Sequence, residues 1–194
     1  MADIKSVCVY CGSSLGHDQR HRRAAAQFGR TLAEAGVELV YGGGNIGLMG
    51  VLADAAIAGG GRVTGIIPED LKRAELAHDG LSDLVTVTSM HERKRQMFER
   101  SDAFVALPGG PGTLDETIEV ITWRQLRLHG KPVLILNDGD YWRPLLDLFD
   151  HAIAGGFARE SFRQLFLVVD RVEEVLPALS RYRAPDLPDR PERV

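Results

Sequence analysis

The chain contains 194 residues, of which 44% are hydrophobic and 26% are charged, proportions that suit a single globular domain. The formal net charge of −4 excludes a general electrostatic attraction to nucleic acids, and no stretch reaches the ~18 apolar residues of a membrane span. Residues 1–6 contain no apolar signal-peptide core, so we expect a cytoplasmic protein with neither a nucleic-acid nor a membrane partner.

Seven short apolar segments predict β-strands. They are rich in Val, Ile and Leu and alternate little with polar residues, which is typical of parallel strands whose two faces are both covered. In chain order the segments are 6–10, 37–41, 62–67, 84–87, 103–107, 133–136 and 167–169. Helical patterns between them cover 20–35, 47–58, 91–101, 113–129, 142–154, 159–164 and 172–182.

The regular alternation of strand and helix predicts an α/β fold, a Rossmann-like, doubly wound, mostly parallel sheet of about seven strands with helices on both faces. We assign residues 1–183 to this single domain. Residues 184–194, in which prolines stand among charges, are expected to form a disordered tail. Such sheets bind ligands at the carboxyl ends of their strands, so the loops that follow strands are the candidate sites.

A glycine-rich segment follows the predicted strand 103–107 and precedes a long helix. Residues 108–116 read Pro-Gly-Gly-Pro-Gly-Thr-Leu-Asp-Glu. Glycines let backbone N–H groups turn towards a ligand, and the unpaired N–H groups and dipole of a helix start favour an anion. The segment therefore predicts a phosphate site, although not one of the Walker type, since no Lys follows the last glycine.

Thr113 and Glu116 in this segment allow two interpretations. They fit a capping box, in which both side chains serve only the helix start. A capping box does not require the preceding glycines, however. Asp115 also adds a second negative charge beside the predicted phosphate, which is reasonable if one carboxylate handles protons. We take Glu116 as a candidate acid–base residue.

A second candidate element precedes the strand at 103–107. On a helix, Met90, Arg93 and Met97 share one stripe and Lys94 lies beside it, so two cations interrupt a largely apolar face. A cation that faces inward needs an anionic partner, which is either a protein carboxylate in an internal salt bridge or a ligand. The position at the start of a helix that follows a strand favours the ligand.

Together these groups suit hydrolysis of an N-glycosidic bond, which passes through an oxocarbenium-like state. The reaction needs a carboxylate to activate water or stabilise the sugar cation, and an acid or cation to help the leaving base. It also needs a grip on the phosphate that places the ribose. Glu116, Arg93 and the backbone of 109–113 offer one group for each task.

Two motifs resemble the paired signature of the LOG (Lonely Guy) family: Met-His-x-Arg-Lys at 90–94 and Pro-Gly-Gly-x-Gly-Thr-x-x-Glu at 108–116. Members of that family are cytokinin riboside 5′-monophosphate phosphoribohydrolases, many of them labelled lysine decarboxylases. The resemblance extends over most of the chain, through residues 11–14, 41–44, 47–50, 120–123 and 155–157.

The resemblance implies that Arg93 and Glu116 form the catalytic pair. Residues expected to bind substrate, with Gly109 added from the loop argument above, are Glu75, Lys94, Gly109, Gly110, Pro111, Gly112, Thr113, Leu114, Asp115 and Thr122. Further candidates for the pocket, taken from their own loops, are Ser13, Ser14, Gly43, Gly44 and Met90. Plant members usually have Arg in place of Ala74 and an aromatic residue in place of Pro111, departures that bear on base preference rather than on the reaction.

The resemblance further implies a Rossmann-like homodimer or larger assembly with active sites near a subunit interface, and no metal or organic cofactor. The expected reaction is AMP nucleosidase-like. AMP or an N6-modified AMP (a cytokinin nucleotide) would be cleaved to the free base, adenine or cytokinin, and ribose 5-phosphate.

Two other classes of function remain alternatives. Residues 42–47 fit G-x-G-x-x-G, and Glu69 lies where a dinucleotide-binding oxidoreductase would place its ribose-binding acid. The same glycines are also explained by close packing of a helix against a strand, and the interpretation we prefer is that they line the nucleotide pocket. A non-catalytic nucleotide-binding or sensing module is the second alternative, because fold does not establish function.

The remaining candidate groups are assigned structural roles. Cys8 and Cys11 supply only two ligands, whereas a structural zinc ion is coordinated by four. Cys8 also lies within a strand, where a buried thiol acts as a small hydrophobe. Pyridoxal phosphate needs a Lys for its Schiff base, and Lys94 is the only Lys placed in the predicted site. A true lysine decarboxylase is therefore not expected.

Overall fold

The computed structural model describes residues 4–72 and 76–185. Within these ranges, seven strands form one sheet in which every pair is parallel. The strands are β1 (Ser6–Tyr10), β2 (Glu38–Tyr41), β3 (Val63–Pro68), β4 (Asp83–Val87), β5 (Ala103–Ala106), β6 (Val133–Leu136) and β7 (Leu167–Val169). Their order across the sheet is β4-β3-β2-β1-β5-β6-β7. The prediction of a doubly wound α/β fold is confirmed.

The described chain contains six α-helices, of which five connect one strand to the next and the sixth follows β7. They are α1 (Gln19–Glu34), α2 (Gly47–Ala58), α3 (Met90–Glu99), α4 (Pro111–Gln125), α5 (Arg143–Ala154) and α6 (Val172–Arg181). Short 3₁₀ helices occupy Glu69–Leu71, Asp138–Asp140 and Glu160–Gln164. Within the described residues, no helix is both long and apolar enough to cross a membrane.

Two predicted helices differ from the observed ones. The segment 159–164 forms a single short 3₁₀ helix rather than an α-helix. Helix α4 begins at Pro111, two residues earlier than expected, because a proline fits the first helical position, where its missing N–H is not needed. It ends before 129, since Arg127 adopts a left-handed conformation (φ 60°) that a helix cannot continue through.

The sheet is covered on both faces, which explains the lack of alternation in its strands. All five residues of β1 are buried. Val7 and Val9 point into a core formed with α1, α2 and α6, whereas Cys8 and Tyr10 point into a second core that includes Met97 of α3 and residues of α4. Because both cores meet at β1, the central strand is fixed from two sides.

The sheet changes direction between β1 and β5. The strands that follow β1 in sequence, β2 to β4, extend to one side, and β6 and β7 extend to the other side. The loops leaving β1 and β5 therefore diverge and open a crevice at the carboxyl ends, which is where such sheets bind ligands. The Gly12 amide donates to the Pro108 carbonyl at 3.0 Å and links the two loops.

Helix α2 begins directly against the loop that follows β1. The Leu48 amide donates to the Gly12 carbonyl at 3.0 Å. A Cβ on Gly47 would lie 2.2 Å from the Ser13 carbonyl carbon, a distance that only a glycine avoids. Close helix packing therefore accounts for the last glycine of the 42–47 segment.

Two earlier predictions fall on residues that are not described. Glu75 and the neighbouring Ala74 lie in the 73–75 gap. Most of the predicted tail, residues 186–194, lies beyond the last described position.

Candidate active site

A cavity of about 230 Å³ opens at the point where the sheet changes direction. Its walls come from the loops after β1 and β2, the start of α2, the 3₁₀ turn after β3, helix α3 and the first turns of α4. Nine of the predicted site residues line it: Ser13, Met90, Arg93, Gly110, Pro111, Gly112, Thr113, Asp115 and Glu116. Residues from separate parts of the sequence therefore meet in one place.

The first turn of α4 forms one wall of this cavity. Its N-cap residue is Gly110, which has no side chain to bond the helix amides, and Pro111 has no amide of its own. The backbone N–H groups of the first helical turn therefore face the cavity region and receive no hydrogen bond from a capping side chain at Gly110. Such a helix start is suited to binding an anion. Thr113 lies inside the helix rather than at its N-cap, so the capping-box interpretation is wrong.

Gly109 and Thr113 are packed together beneath this turn. Thr113 is buried (3% exposed), and a Cβ on Gly109 would overlap its side chain at 2.1 Å from Oγ1. Gly109 is required here for steric reasons and does not itself line the cavity among the described residues.

Arg93 is buried (5% exposed) and links β3 to the loop after β2. Its Nε donates to the Ile66 carbonyl in β3 at 3.1 Å, and its Nη2 donates to the Gly42 carbonyl after β2 at 2.8 Å. A Cβ on Gly42 would lie 2.2 Å from Nη2. The absence of a side chain at residue 42 therefore makes room for the guanidinium, which brings positive charge to the cavity wall.

Lys94 points towards α4 instead of the cavity. Its Nζ lies 3.1 Å from Asp115 Oδ2 and 3.0 Å from Glu119 Oε1. Burial disfavours the charge on this ammonium, but the hydrogen bonds to Glu119 and Asp115 outweigh it, so the pKa of Lys94 is raised. For Lys94 the structure shows the internal salt bridge, which fastens α3 to the first turns of α4.

Glu116 is half-buried and projects from α4 into the cavity. Cys11 lines the same cavity, and Cys8 lies behind it. Burial first, and then the negative charge of Glu116, raise the pKa of both thiols. The two cysteines are free and buried, and across the described residues no group of three or more His, Cys, Asp or Glu side chains is arranged to hold a metal ion.

Several predicted residues do not line the cavity as the described residues define it. The Thr122 hydroxyl donates to the Ile118 carbonyl on the exposed face of α4, and Leu114 packs beside the core near Trp142. Ser14 is exposed. Gly44 forms an isolated bridge with Ala77. The remaining members of this group are Gly43, Lys94 and Gly109.

Other cavity residues were not expected from the sequence. Cys11 and Gly12 directly follow β1, so the rule that sites lie at strand ends could have identified them. Gly42, which also lines the cavity, was expected there with the other glycines of 42–47. Met49 and Leu71 also contribute apolar wall, but they come from a helix and a 3₁₀ turn and carry no comparable signal.

The fold and the cavity together define a Rossmann-like α/β protein whose site combines an anion-directed helix start, a buried guanidinium and a carboxylate. Residues 49–179 match the family described as "Possible lysine decarboxylase". The chain belongs to this family, the LOG family, as its two motifs predict.

Two named relatives share most of this chain. A protein of Rhodococcoides fascians named cytokinin riboside 5′-monophosphate phosphoribohydrolase is 46% identical over 176 residues, 90% of this chain and 89% of that protein. A protein of Oryza sativa subsp. japonica named probable cytokinin riboside 5′-monophosphate phosphoribohydrolase LOGL9 is 48% identical over 181 residues, 90% of this chain and 80% of that protein.

The fold also occurs in the solved structure of a protein with a different name. The molybdenum cofactor binding protein from the phototrophic bacterium Rippkaea orientalis superposes with a TM-score of 0.69 over 92% of this chain and 98% of that chain. The sequences are 21% identical, so this likeness shows a common fold and no more.

Proposed function

We propose that this protein hydrolyses the N-glycosidic bond of purine nucleoside 5′-monophosphates, AMP and its N6-modified cytokinin forms, and releases the free base and ribose 5-phosphate. The observation that carries the proposal is the convergence of Arg93, Glu116 and the start of α4 on one cavity. The names of the relatives at 46% and 48% identity support the same reaction.

The 5′-phosphate is held by the backbone at the start of α4. Amide groups around Gly110, Gly112 and Thr113, together with the helix dipole, favour a dianion at this point. Asp115 stands in the same turn and would repel it, but Asp115 is paired with Lys94. This ion pair offsets the negative charge next to the phosphate, so Lys94 assists binding without contacting the ligand.

Glu116 and Arg93 act on the bond to be cleaved. Glu116 accepts a proton from a water molecule, whose oxygen forms a bond to C1′ as the bond between C1′ and the base nitrogen breaks. The same carboxylate stabilises the oxocarbenium-like sugar. Arg93 stabilises the electron pair that departs with the base, and the base takes up a proton as it leaves. The reaction consumes water alone, so we propose no metal and no organic cofactor.

The purine is placed against the apolar side of the cavity. Met49, Leu71, Met90 and Met97 all contribute to it. Methionine side chains adapt to ligands of different shape, and such a wall accommodates a planar base with or without an N6 substituent. We therefore propose AMP and N6-modified AMP as alternative substrates of one site.

The active protein is proposed to be a cytoplasmic homodimer or larger assembly. Ile118 (37% exposed) lies on α4 beside Pro111 and Asp115, and Leu126 (57% exposed) follows directly after the helix. Apolar side chains at such a surface are suited to contact with another copy.

The reaction is tested by following AMP turnover in the absence and in the presence of inorganic phosphate. The proposal predicts adenine and ribose 5-phosphate in equal amounts in both cases. Release of adenine that depends on added inorganic phosphate, or formation of ribose 1,5-bisphosphate in place of ribose 5-phosphate, would refute hydrolysis.

A further inference from the structure

We infer that Tyr141 is a positioning residue for the phosphate-binding loop, an assignment that rests on the proposed function. Tyr141 follows β6 and lies outside the cavity wall formed by the described residues. Its hydroxyl nevertheless donates to the Gly109 carbonyl at 2.6 Å. A side chain from one strand end thereby holds the loop that follows the neighbouring strand, β5.

The geometry of the peptide group gives this hydrogen bond its effect on the ligand. In a planar trans peptide the C=O and the following N–H point in opposite directions. When Tyr141 holds the Gly109 carbonyl on its own side, the Gly110 N–H is directed away from Tyr141. Gly110 lines the cavity whereas Gly109 does not, so this amide is directed to the side on which the phosphate binds.

The peptide group between Gly109 and Gly110 needs a hydrogen-bond partner outside the loop to fix its orientation. Gly109 and Gly110 are adjacent glycines, whose backbone rotates more freely than that of any other residue pair. A residue with a side chain would restrict this rotation, but it cannot stand at position 109 because its Cβ would collide with Thr113. The preceding peptide is fixed by the Gly12 amide, which donates to Pro108 at 3.0 Å. Tyr141 fixes the next one.

The turn that carries Tyr141 is itself rigidly built. Gly139 and Asp140 both have left-handed backbone conformations (φ 60° and 63°), which Gly and Asp adopt more readily than other residues. Buried Asn137 holds the turn: its Nδ2 donates to Asp140 Oδ1 at 3.1 Å, and its Oδ1 accepts from the Trp142 amide at 2.9 Å.

The ring of Tyr141 is held by two edge-to-face contacts. The His21 ring lies 5.1 Å away and the Trp142 ring lies 4.9 Å away, measured between centroids. His21 Nδ1 is in turn 3.5 Å from Asp138 Oδ2. Removing only the hydroxyl would leave these contacts in place, so Tyr141→Phe isolates the hydrogen bond to Gly109.

The experiment compares AMP with adenosine, which lacks the phosphate, by titration calorimetry. Tyr141→Phe is made in a Glu116→Gln background so that AMP is not consumed, and Tyr182→Phe, which removes a buried hydroxyl elsewhere in the chain, is the matched control. We expect the Kd of AMP to rise roughly three- to tenfold in Tyr141→Phe alone, with the Kd of adenosine unchanged. The effect is modest because Tyr141 is 38% exposed and water can replace its hydroxyl.

Equal weakening of AMP and adenosine, or no weakening of AMP, would overturn the assignment. A second readout separates positioning from stability: the melting temperature of Tyr141→Phe should match that of its parent, and a fall that accompanies loss of both ligands would show a structural role instead. The proposed function is tested separately by turnover of the unmutated protein. If the unmutated protein releases no base but Tyr141→Phe still weakens the binding of AMP selectively, the proposed reaction is rejected and the positioning role of Tyr141 is kept.

Discussion

The guanidinium of Arg93 donates to the carbonyl of Gly42 at 2.8 Å, and a Cβ on Gly42 would lie 2.2 Å from the donating nitrogen. The two residues are 51 positions apart in the sequence and have to be compatible for the cavity to form. A glycine that resembles part of a dinucleotide motif thus has a different purpose, which is to admit a buried cation at the end of β2.

Gly42→Ala is therefore expected to displace Arg93. Base release from AMP should fall at least tenfold, approaching the activity of Arg93→Ala, because loss of a positioned charge at a reacting centre commonly lowers kcat by two or more orders of magnitude. The measurement is kcat for base release, with circular dichroism to confirm the fold.

Gly130→Ala is the matched control for this substitution, since a Cβ at residue 130 meets no atom within 4 Å. Its activity should equal that of the unmutated protein. Full activity in Gly42→Ala would show that the observed position of Arg93 is not needed. Full activity in Arg93→Ala would show that Arg93 takes no part in the mechanism, and the role of the positive charge would then be assigned to Lys94.

The ion pair between Lys94 and Asp115 yields a second prediction. Lys94→Ala should raise KM for AMP several-fold while changing kcat less, since the substitution leaves Asp115 unneutralised beside the phosphate. Adding Asp115→Asn to Lys94→Ala should restore most of the affinity. Because the repulsion is between partly exposed charges, the KM difference should shrink as salt is increased. Loss of activity that Asp115→Asn does not restore would instead indicate direct contact between Lys94 and substrate.

The buried thiols predict how stability depends on pH. Burial raises the pKa of Cys8 and Cys11 above the ordinary thiol value of 9.0, so above about pH 9 the unfolded chain loses these protons while the folded chain keeps them. The free energy of unfolding should then fall with rising pH, by up to ~1.4 kcal/mol per pH unit for each thiol. Below pH 8 the two thiols should contribute no slope.

Urea unfolding between pH 8 and pH 10 measures this dependence. Cys8→Ala should be less stable at pH 8, because it leaves a small void, but its stability should fall less steeply above pH 9. An equal slope in the variant and the unmutated protein would show that the thiol does not cause the dependence.

Much of the fold followed from the sequence because its determinants are local. Uninterrupted apolar runs identified the seven strands to within one residue at every end. The glycine-rich loop after β5 pointed to the candidate site. Contacts between residues on different elements could not be predicted from such local patterns. The pairing of Lys94 with Asp115 depends on how α3 packs beside α4, and the contact of Gly42 with Arg93 depends on the arrangement of strand ends.

The start of α4 shows a further limit of local reasoning. Thr and Glu three residues apart suggest an N-cap at residue 113, yet the helix begins at Pro111. Both starts satisfy local rules. In the structure Pro111 takes the first helical position and Thr113 is buried against Gly109, so Thr113 does not serve as the N-cap.

The central claim is that Glu116 activates the water molecule that hydrolyses the N-glycosidic bond. It is tested most directly by incubating the protein, Glu116→Gln and Glu34→Gln with AMP and with isopentenyl-AMP, and measuring free base by chromatography and binding by calorimetry. Glu34→Gln, at the exposed end of α1 and outside the cavity among the described residues, should release base at nearly the normal rate. Glu116→Gln should bind both nucleotides but release base at least ~100-fold more slowly. Binding of both nucleotides without release of base by the unmutated protein, or normal release by Glu116→Gln, would contradict the account.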